Sequence, residues 1–325
     1  MNGDWVAVAT RARGIARRRL GAGTAQELAA GDLPEALGVI AAATGEGSDR
    51  GAAFTDRGDA EHAMRGALLW RTRVLAGWAP RPGAALFRVL AAPYERDNAV
   101  ALARSFDDGT EAPTSWELGS LATAWPRLRL ARDFPALREE LGRSPWGRVG
   151  ATGPAELRDE LTAAWLRRVA VAAPFTRPWA VAGAALLAAR VAVVQGAPPT
   201  TRCLESLRPF LGETWATART LDAFAASLPY GAAEPFRDLD GPEALWLAEA
   251  RLVARIETDS LRLLRRNADG PAVVVAVVAM LAVDVWRARA AVAVAGRHTG
   301  GIPAVPGDTG ETAEQAGKAV LDVVA

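Results

Sequence analysis

Residues 241–295 read GPEALWLAEARLVARIETDSLRLLRRNADGPAVVVAVVAMLAVDVWRARAAVAVA. Gly241-Pro242-Glu243 and Asp269-Gly270-Pro271 each put a proline in a first turn, where its missing N–H is no loss to the helix. The line therefore spells two helices, a long charged one over 242–267 and a strongly apolar one over 271–295. Its longest uncharged run, Ala272 to Val283, stops at Asp284. That is short of the ~20 residues needed to span a bilayer, so a soluble protein is expected.

Outward from this pair the same punctuation recurs. Gly21 to Gly23 with Thr24 are expected to break a first helix from a second, and Asp32-Leu33-Pro34-Glu35 reads as a helix start. Gly45 to Gly58 is a glycine-rich, charged loop, and a helix follows over 59–78. After Pro80 and Pro82 another helix runs through Tyr94-Glu95-Arg96-Asp97-Asn98 towards Gly109 and Pro113. Short helices divided by Pro126 and Pro135 lead to the turn Ser144-Pro145-Trp146-Gly147. Helices are then expected over 156–173, 179–194, 203–211 and 213–228, the last before the turn Pro229-Tyr230-Gly231.

Three thirds, 1–113, 114–199 and 200–325, share one plan of short helices, a polar-faced helix and an apolar helix closed by a glycine and then a proline. The closing glycines are Gly109, Gly196 and Gly301. Their spacing is too long and irregular for tetratricopeptide or HEAT arrays of roughly 34 to 47 residues. The fold class expected is all-α, and at this length a chain can bury roughly 75% of its unfolded surface.

Composition narrows function mainly by exclusion. Lys+Arg number 38 against 37 Asp+Glu, so no global field favours DNA or an anionic membrane. Lys318 is the single lysine, and no Gly-x-x-x-x-Gly-Lys-Ser/Thr occurs, which excludes a phosphate-cradling P-loop. A single cysteine, Cys203, rules out an internal disulfide and suits a reducing cytoplasm. His62 and His298 are far apart in sequence, one opening a charged helix and one in a glycine-rich turn, so neither reads as a base or metal ligand. The acid pairs Glu95/Asp97 and Glu257/Asp259 are two apart, point in different directions on a helix, and read as arginine-paired surface acids. Asp107-Asp108 is no acidic catalytic cluster, since it lies beside a turn. No catalytic residue, cofactor or metal is expected. The basic run Arg11, Arg13, Arg17, Arg18 and Arg19 is interleaved with Trp5, Val8, Ile15 and Leu20, as in an amphipathic helix with a solvated basic face. On the helix 242–267, Arg251, Arg255, Arg262, Arg265 and Arg266 form the strongest basic stripe, diluted by Glu249, Glu257 and Asp259.

The order of several short motifs carries a resemblance. The stretch Val8-Ala9-Thr10-Arg11-Ala12-Arg13-Gly14 through Arg19-Leu20, followed by Glu27-Leu28 and Asp32 to Leu37 with Ile40 and Thr44, resembles the opening of the C/d family of V/A-type (vacuolar/archaeal-type) rotary ATPases. Glu95 to Arg104 is similar to that family's glutamate-x-x-asparagine helix. Asp284-Val285-Trp286-Arg287, with Arg289, Gly296, Gly301 and Pro303, looks like a degenerate copy with arginine in place of asparagine. Trp146-Gly147 and Tyr230-Gly231 resemble its aromatic-glycine turns. The middle third carries no acid-asparagine pair. The resemblance spans the whole chain, including a short terminal helix after Pro303.

The resemblance implies three similar helical bundles set as a pseudo-threefold funnel with a central cavity. It implies a non-catalytic adapter on the cytoplasmic face of a membrane, peripheral to it. Such an adapter joins the central shaft to the membrane rotor ring and passes on torque coupled to proton or sodium transport. Arg11, Arg13, Glu95, Asn98, Arg251, Arg255 and Arg287 are expected at the partner interface, with no nucleic acid. The competing expectation is a helical regulatory or nucleic-acid-binding protein that uses its arginine-rich helices.

Overall fold

A computed structural model describes residues 3–44, 54, 56–111, 114–266 and 270–298. Every regular element among these residues is helical, and the fold is all-α. The chain divides into two compact units, one formed by residues 1–78 with 249–325 and the other by residues 79–248. The boundaries expected near 113 and 199 both fall inside the second unit. The terminal helix expected after Pro303 and most of the glycine-rich loop 45–58 lie outside the described residues.

In chain order the helices are α1 (Val6–Ala16), α2 (Gly21–Ala30), α3 (Leu33–Thr44), α4 (Arg57–Gly77), α5 (Ala84–Asp108), α6 (Trp125–Leu128), α7 (Phe134–Gly142), α8 (Pro154–Ala172), α9 (Arg177–Ala189), α10 (Thr201–Leu211), α11 (Leu221–Ser227), α12 (Tyr230–Ala233), α13 (Leu245–Arg265) and α14 (Pro271–His298). Short polar caps start several of them. Asp56, Asp133, Thr200 and Thr220 accept from the amides of Asp59, Ala136, Cys203 and Ala223, satisfying donors that the first turn leaves open.

In the first unit α14 is the axis, and α1, α2, α3 and α4 pack around it. Its valines 273–278 and Leu281 are buried. Leu28, Leu37, Ile40 and Met64 close on its C-terminal half, where Ala288, Ala291 and Ala295 let neighbouring backbones approach closely. Each such leucine or isoleucine contributes about 1.5 to 3 kcal/mol on burial. Two stretches, Pro174–Val194 and Pro271–Gly296, are long and apolar enough to cross a bilayer, and 56% and 67% of their apolar windows are buried inside the chain. A helix apolar on all sides needs such a surround, and α14 obtains it from its four neighbours.

In the second unit α5 and α8 form the most extensive helix pair. Helix α5 runs unbroken through Pro93. Proline removes the N–H that would have bonded the carbonyl of Val89, four residues back. Trp165 of α8 donates its indole Nε1–H to that carbonyl at 3.0 Å. Gly109, at φ 68°, ends α5 in the left-handed conformation that glycine adopts without strain. Around this pair Leu128, Leu137, Leu141, Trp146, Leu157 and Leu161 form one core, and Leu207, Trp215, Phe224 and Phe236 belong to another.

Three sequence expectations are corrected. The first break falls at residues 17–20, and the glycines 21 and 23 lie inside α2. The helix expected over 213–228 splits into a 3-10 turn, Thr214–Thr217, and α11, because Thr220 is extended and caps the second piece. The helix expected over 179–194 starts at Arg177 and widens into a π-helical turn, Arg190–Val194, with the Gln195 amide donating to the Arg190 carbonyl at 2.9 Å. Burial foremost pushes the Cys203 thiol up to about 12, so it packs and does not react.

Candidate functional site

The buried polar groups concentrate on two long helices. On α5, Glu95 is 1% exposed and accepts five hydrogen bonds. Its Oε1 takes the backbone N–H groups of Thr123 (2.7 Å), Ala124 (2.7 Å) and Trp125 (2.9 Å). Its Oε2 takes the Thr123 hydroxyl and the Trp146 indole Nε1–H, the latter at 2.8 Å. Burial would push this carboxyl up, but the donors from Thr123, Ala124, Trp125 and Trp146 outweigh it and hold the group below its ordinary value. Arg168 lies over the Trp146 ring, 4.9 Å from its centroid, and adds a cation behind the indole. One turn on, Asn98 accepts from the Trp116 amide at 2.7 Å and donates to the Trp116 carbonyl at 2.9 Å. Tyr94 meets the Trp116 ring edge-on at 5.3 Å. Positions 94, 95 and 98 thus clamp the chain from 116 to 125 onto α5.

On α14 the corresponding acid and its i+3 neighbour are Asp284 and Arg287. Asp284 Oδ2 and Oδ1 accept from the amides of Leu20 (3.0 Å) and Gly21 (3.2 Å), so a side chain remote in sequence caps the start of α2. That remote cap is why the break precedes the glycines. Arg287, 1% exposed, donates Nη1 to Glu257 Oε1 at 2.8 Å and Nη2 to Glu257 Oε2, a bidentate pair with α13. Arg19 donates to the same Oε1 at 2.6 Å and lies 3.6 Å from Asp284. Burial would raise the Glu257 carboxyl, yet the bonds from Arg287 and Arg19 hold it down. For Asp284 burial prevails over Arg19, the two amides and Arg287, and its carboxyl is pushed up. Beside this cluster Trp286 donates its indole N–H to Glu249 at 2.8 Å.

The residues expected at a partner surface therefore separate into two groups. Glu95, Asn98 and Arg287 are buried, and their polar atoms serve internal loops and helices, which corrects their placement at an interface and the reading of Glu95 as a surface acid, whereas Glu257 is arginine-paired as expected and partly exposed. Arg11 is exposed, with its guanidinium carbon 3.4 Å from the centroid of the half-exposed Trp78 ring. Arg13 and Arg251 are half-buried, and exposed Arg255 lies 3.8 Å from Asp259, which also accepts from Arg262 at 3.1 Å. Arg19, read as part of a solvated basic face, faces the Glu257 cluster instead.

The middle of the chain holds two buried acids that sequence reading passed over. On α8, Glu160 accepts from the Gly150 amide at 2.8 Å and from the Thr200 hydroxyl, and Asp159 pairs with Arg190. The signal was present as adjacent acids between Leu157 and Leu161, on the apolar face of a helix. His62 is exposed, and the side chain of His298 lies outside the described residues. No group of three His, Cys, Asp or Glu is placed to hold a metal ion among the described residues. A groove of about 190 Å³ beside the first turn of α4 is lined by Arg57, Glu61, Met64, Arg289 and Val292, an arrangement with no paired nucleophile and base. Chemically, the two hubs fix geometry: both Glu95 oxygens, both Asp284 oxygens, the Asn98 amide and the two Nη atoms of Arg287 bond to backbone and side chains of the chain itself. Compared with known proteins, the chain matches no family model, no curated protein and no solved structure.

Proposed function

We propose that the chain is a non-catalytic rotor adapter of a V/A-type rotary ATPase, joining the central shaft to the membrane rotor ring on the cytoplasmic face. The observation that carries this reading is the use made of the two copies of one motif. Tyr94-Glu95-x-x-Asn98 and Asp284-x-x-Arg287 are the segments that resemble the family. In each, an acid and its i+3 neighbour on a long helix hold a separate piece of chain by backbone amides or a bidentate ion pair. A part that passes on torque must resist deformation, and close-packed helices tied by buried charge-assisted bonds supply stiffness. The proposal includes the finer architecture, three bundles over 1–113, 114–199 and 200–325 around a pseudo-threefold axis with a central cavity.

The competing reading, a nucleic-acid-binding or regulatory protein, draws no support from the arginines of α13. Arg255 and Arg262 share Asp259, so that face is of mixed sign. The experiment is gentle extraction of membranes from the native host with this chain tagged. Recovery of ATPase head, shaft and ring components in defined stoichiometry is expected. A chain recovered without any of them overturns the proposal.

A further inference from the structure

Helices α8 and α9 pack against each other, and the turn that joins them carries an exposed apolar tip. Val171 is 80% exposed and Phe175 37%, and Ala172, Pro174 and Pro178 beside them are exposed as well. Phe175 stands edge-on to Trp179, with ring centroids 6.0 Å apart. The backbone of this tip leaves few open donors. Pro174 and Pro178 have no N–H. The Ala173 amide donates to the Val169 carbonyl at 2.9 Å, that of Thr176 to the Ala173 carbonyl at 2.8 Å, and that of Arg177 to the Pro174 carbonyl. The Thr176 hydroxyl also turns inward, to the Ala173 carbonyl at 2.7 Å. Around the tip the charge is of one sign, because the sequence between Glu160 and Glu205 has five arginines and no acid. Exposed Arg167 lies one turn before Val171 on the same face of α8. Arg177 is held beside the tip by its Nη2 bond to the Pro209 carbonyl at 3.1 Å, with its guanidinium 5.4 Å from the Phe210 centroid. The acids that follow, Glu205 on α10 and Glu213 just beyond it, pair with Arg202 and Arg208.

We propose that this tip enters the interface of an anionic bilayer, with Val171 and Phe175 among the upper acyl carbons and Arg167 and Arg177 at the headgroup phosphates. The inference goes beyond the adapter reading and does not depend on it. The chemistry of the tip selects the occupant. Hydrocarbon offers no water to bond a backbone N–H or C=O, so a segment that enters it must have paired those groups already. A protein interface carries about one hydrogen bond per 100–200 Å², and a tip this poor in open polar groups has little with which to make them. One helical turn is about 5.4 Å, which sets Arg167 back from Val171 by the ~5–10 Å depth to which such an apolar face is buried. Anionic lipid then supplies the counter-charge that this stretch of sequence lacks.

The test is co-sedimentation of the full chain with vesicles of phosphatidylcholine and phosphatidylserine, 7:3, at low salt, against vesicles of phosphatidylcholine alone. Sedimentation with the anionic vesicles only is expected. Val171→Asp/Phe175→Asp should weaken it about tenfold or more, and Arg167→Glu several-fold. Should the Phe175 substitution disturb the fold, Val171→Asp alone carries the test, since that side chain is almost wholly in solvent. The control is Val194→Asp, an exposed site about 25 Å away at the other end of the α9 rod, which should bind as the native chain does. A polarity-sensitive dye on Val171→Cys should shift to the blue on anionic vesicles, and the same dye on Val194→Cys should not. Failure of the native chain to sediment, equal binding to neutral vesicles, indifference to Val171→Asp, or a blue shift at 194 without one at 171 would each overturn the proposal. So would a chain that ignores vesicles but self-associates until Val171→Asp restores the monomer, an outcome that assigns the tip to a second copy.

Discussion

The two units stabilise their long helices by different electrostatic means. In the second, Glu95 is an anion surrounded by neutral donors, with a cation, Arg168, set behind an indole. In the first, Asp284 and Arg287 belong to a four-member ion cluster with Glu257 and Arg19, and charge is balanced inside the cluster. A lone anion held by oriented amides has no substitute once removed, since donors it satisfied, the Ala124 amide and the Trp146 indole N–H, stay buried. An ion cluster can lose members in matched pairs. The same spacing, acid at i and partner at i+3, thus yields a single point of dependence in one unit and a distributed one in the other.

The largest expected effect comes from removing the single anion. Glu95→Ala is expected to destabilise the chain by about 3 to 5 kcal/mol in urea unfolding, because five donors lose their acceptor at once. The amides of Thr123, Ala124 and Trp125 should also lose hydrogen-exchange protection while those of α14 keep theirs; equal loss in both units would break the comparison. Next, Arg287→Met is expected to cost about 2 kcal/mol, and adding Glu257→Leu should recover at least about half of it. No such rescue partner exists for Glu95.

Below these stand the ordinary caps. Asp56→Ala in the first unit and Asp133→Ala in the second should each cost about 1 kcal/mol, which calibrates the hubs against local chemistry common to both units. The smallest change expected at neutral pH is for Asp284→Asn, under about 1 kcal/mol, because burial already disfavours the charged form and the amide oxygen still accepts.

Acid separates the same groups by sign. The Glu95 carboxyl is lowered in the folded state, so its contribution is present above its unfolded value of 4.5 and is lost as pH falls through the folded value. That of Asp284 is raised, so its contribution is present below 3.8 and is lost as pH rises through the folded value. Stability of Glu95→Gln should therefore fall less than that of the native chain on acidification below 4.5. Asp284→Asn should lose the opposite, stabilising response to acid. Parallel pH curves for the two variants would erase the distinction.

Much of the architecture was written locally. Prolines 242 and 271 sit in first turns as their sequence context required, and Gly109 ends α5 where it was expected. What the sequence could not display was acceptance at a distance. The break at 17–20 depends on Asp284, more than 260 residues away, whereas glycines are the better breaker by local rules alone. The candidate site was legible only as letters: Glu95, Asn98, Asp284 and Arg287 were singled out, but their spacing suits a surface as readily as a core. Only their partners, residues 116–125 and Glu257, decide between the two. Asp159 and Glu160 were missed because adjacent acids on a charged helix look solvated until the Gly150 amide and the Arg190 guanidinium are found against them.

The bond from Trp165 to the Val89 carbonyl joins two residues that would each be a defect alone. A proline at 93 orphans a carbonyl, and an indole at 165 brings a donor into a helix contact. Together they act as a key in a slot: sliding α8 along α5 by one residue, about 1.5 Å, would withdraw the tooth. Positions 93 and 165 should then be inherited as one character, exchanged together or not at all, and the α5–α8 register should be as heritable as either residue.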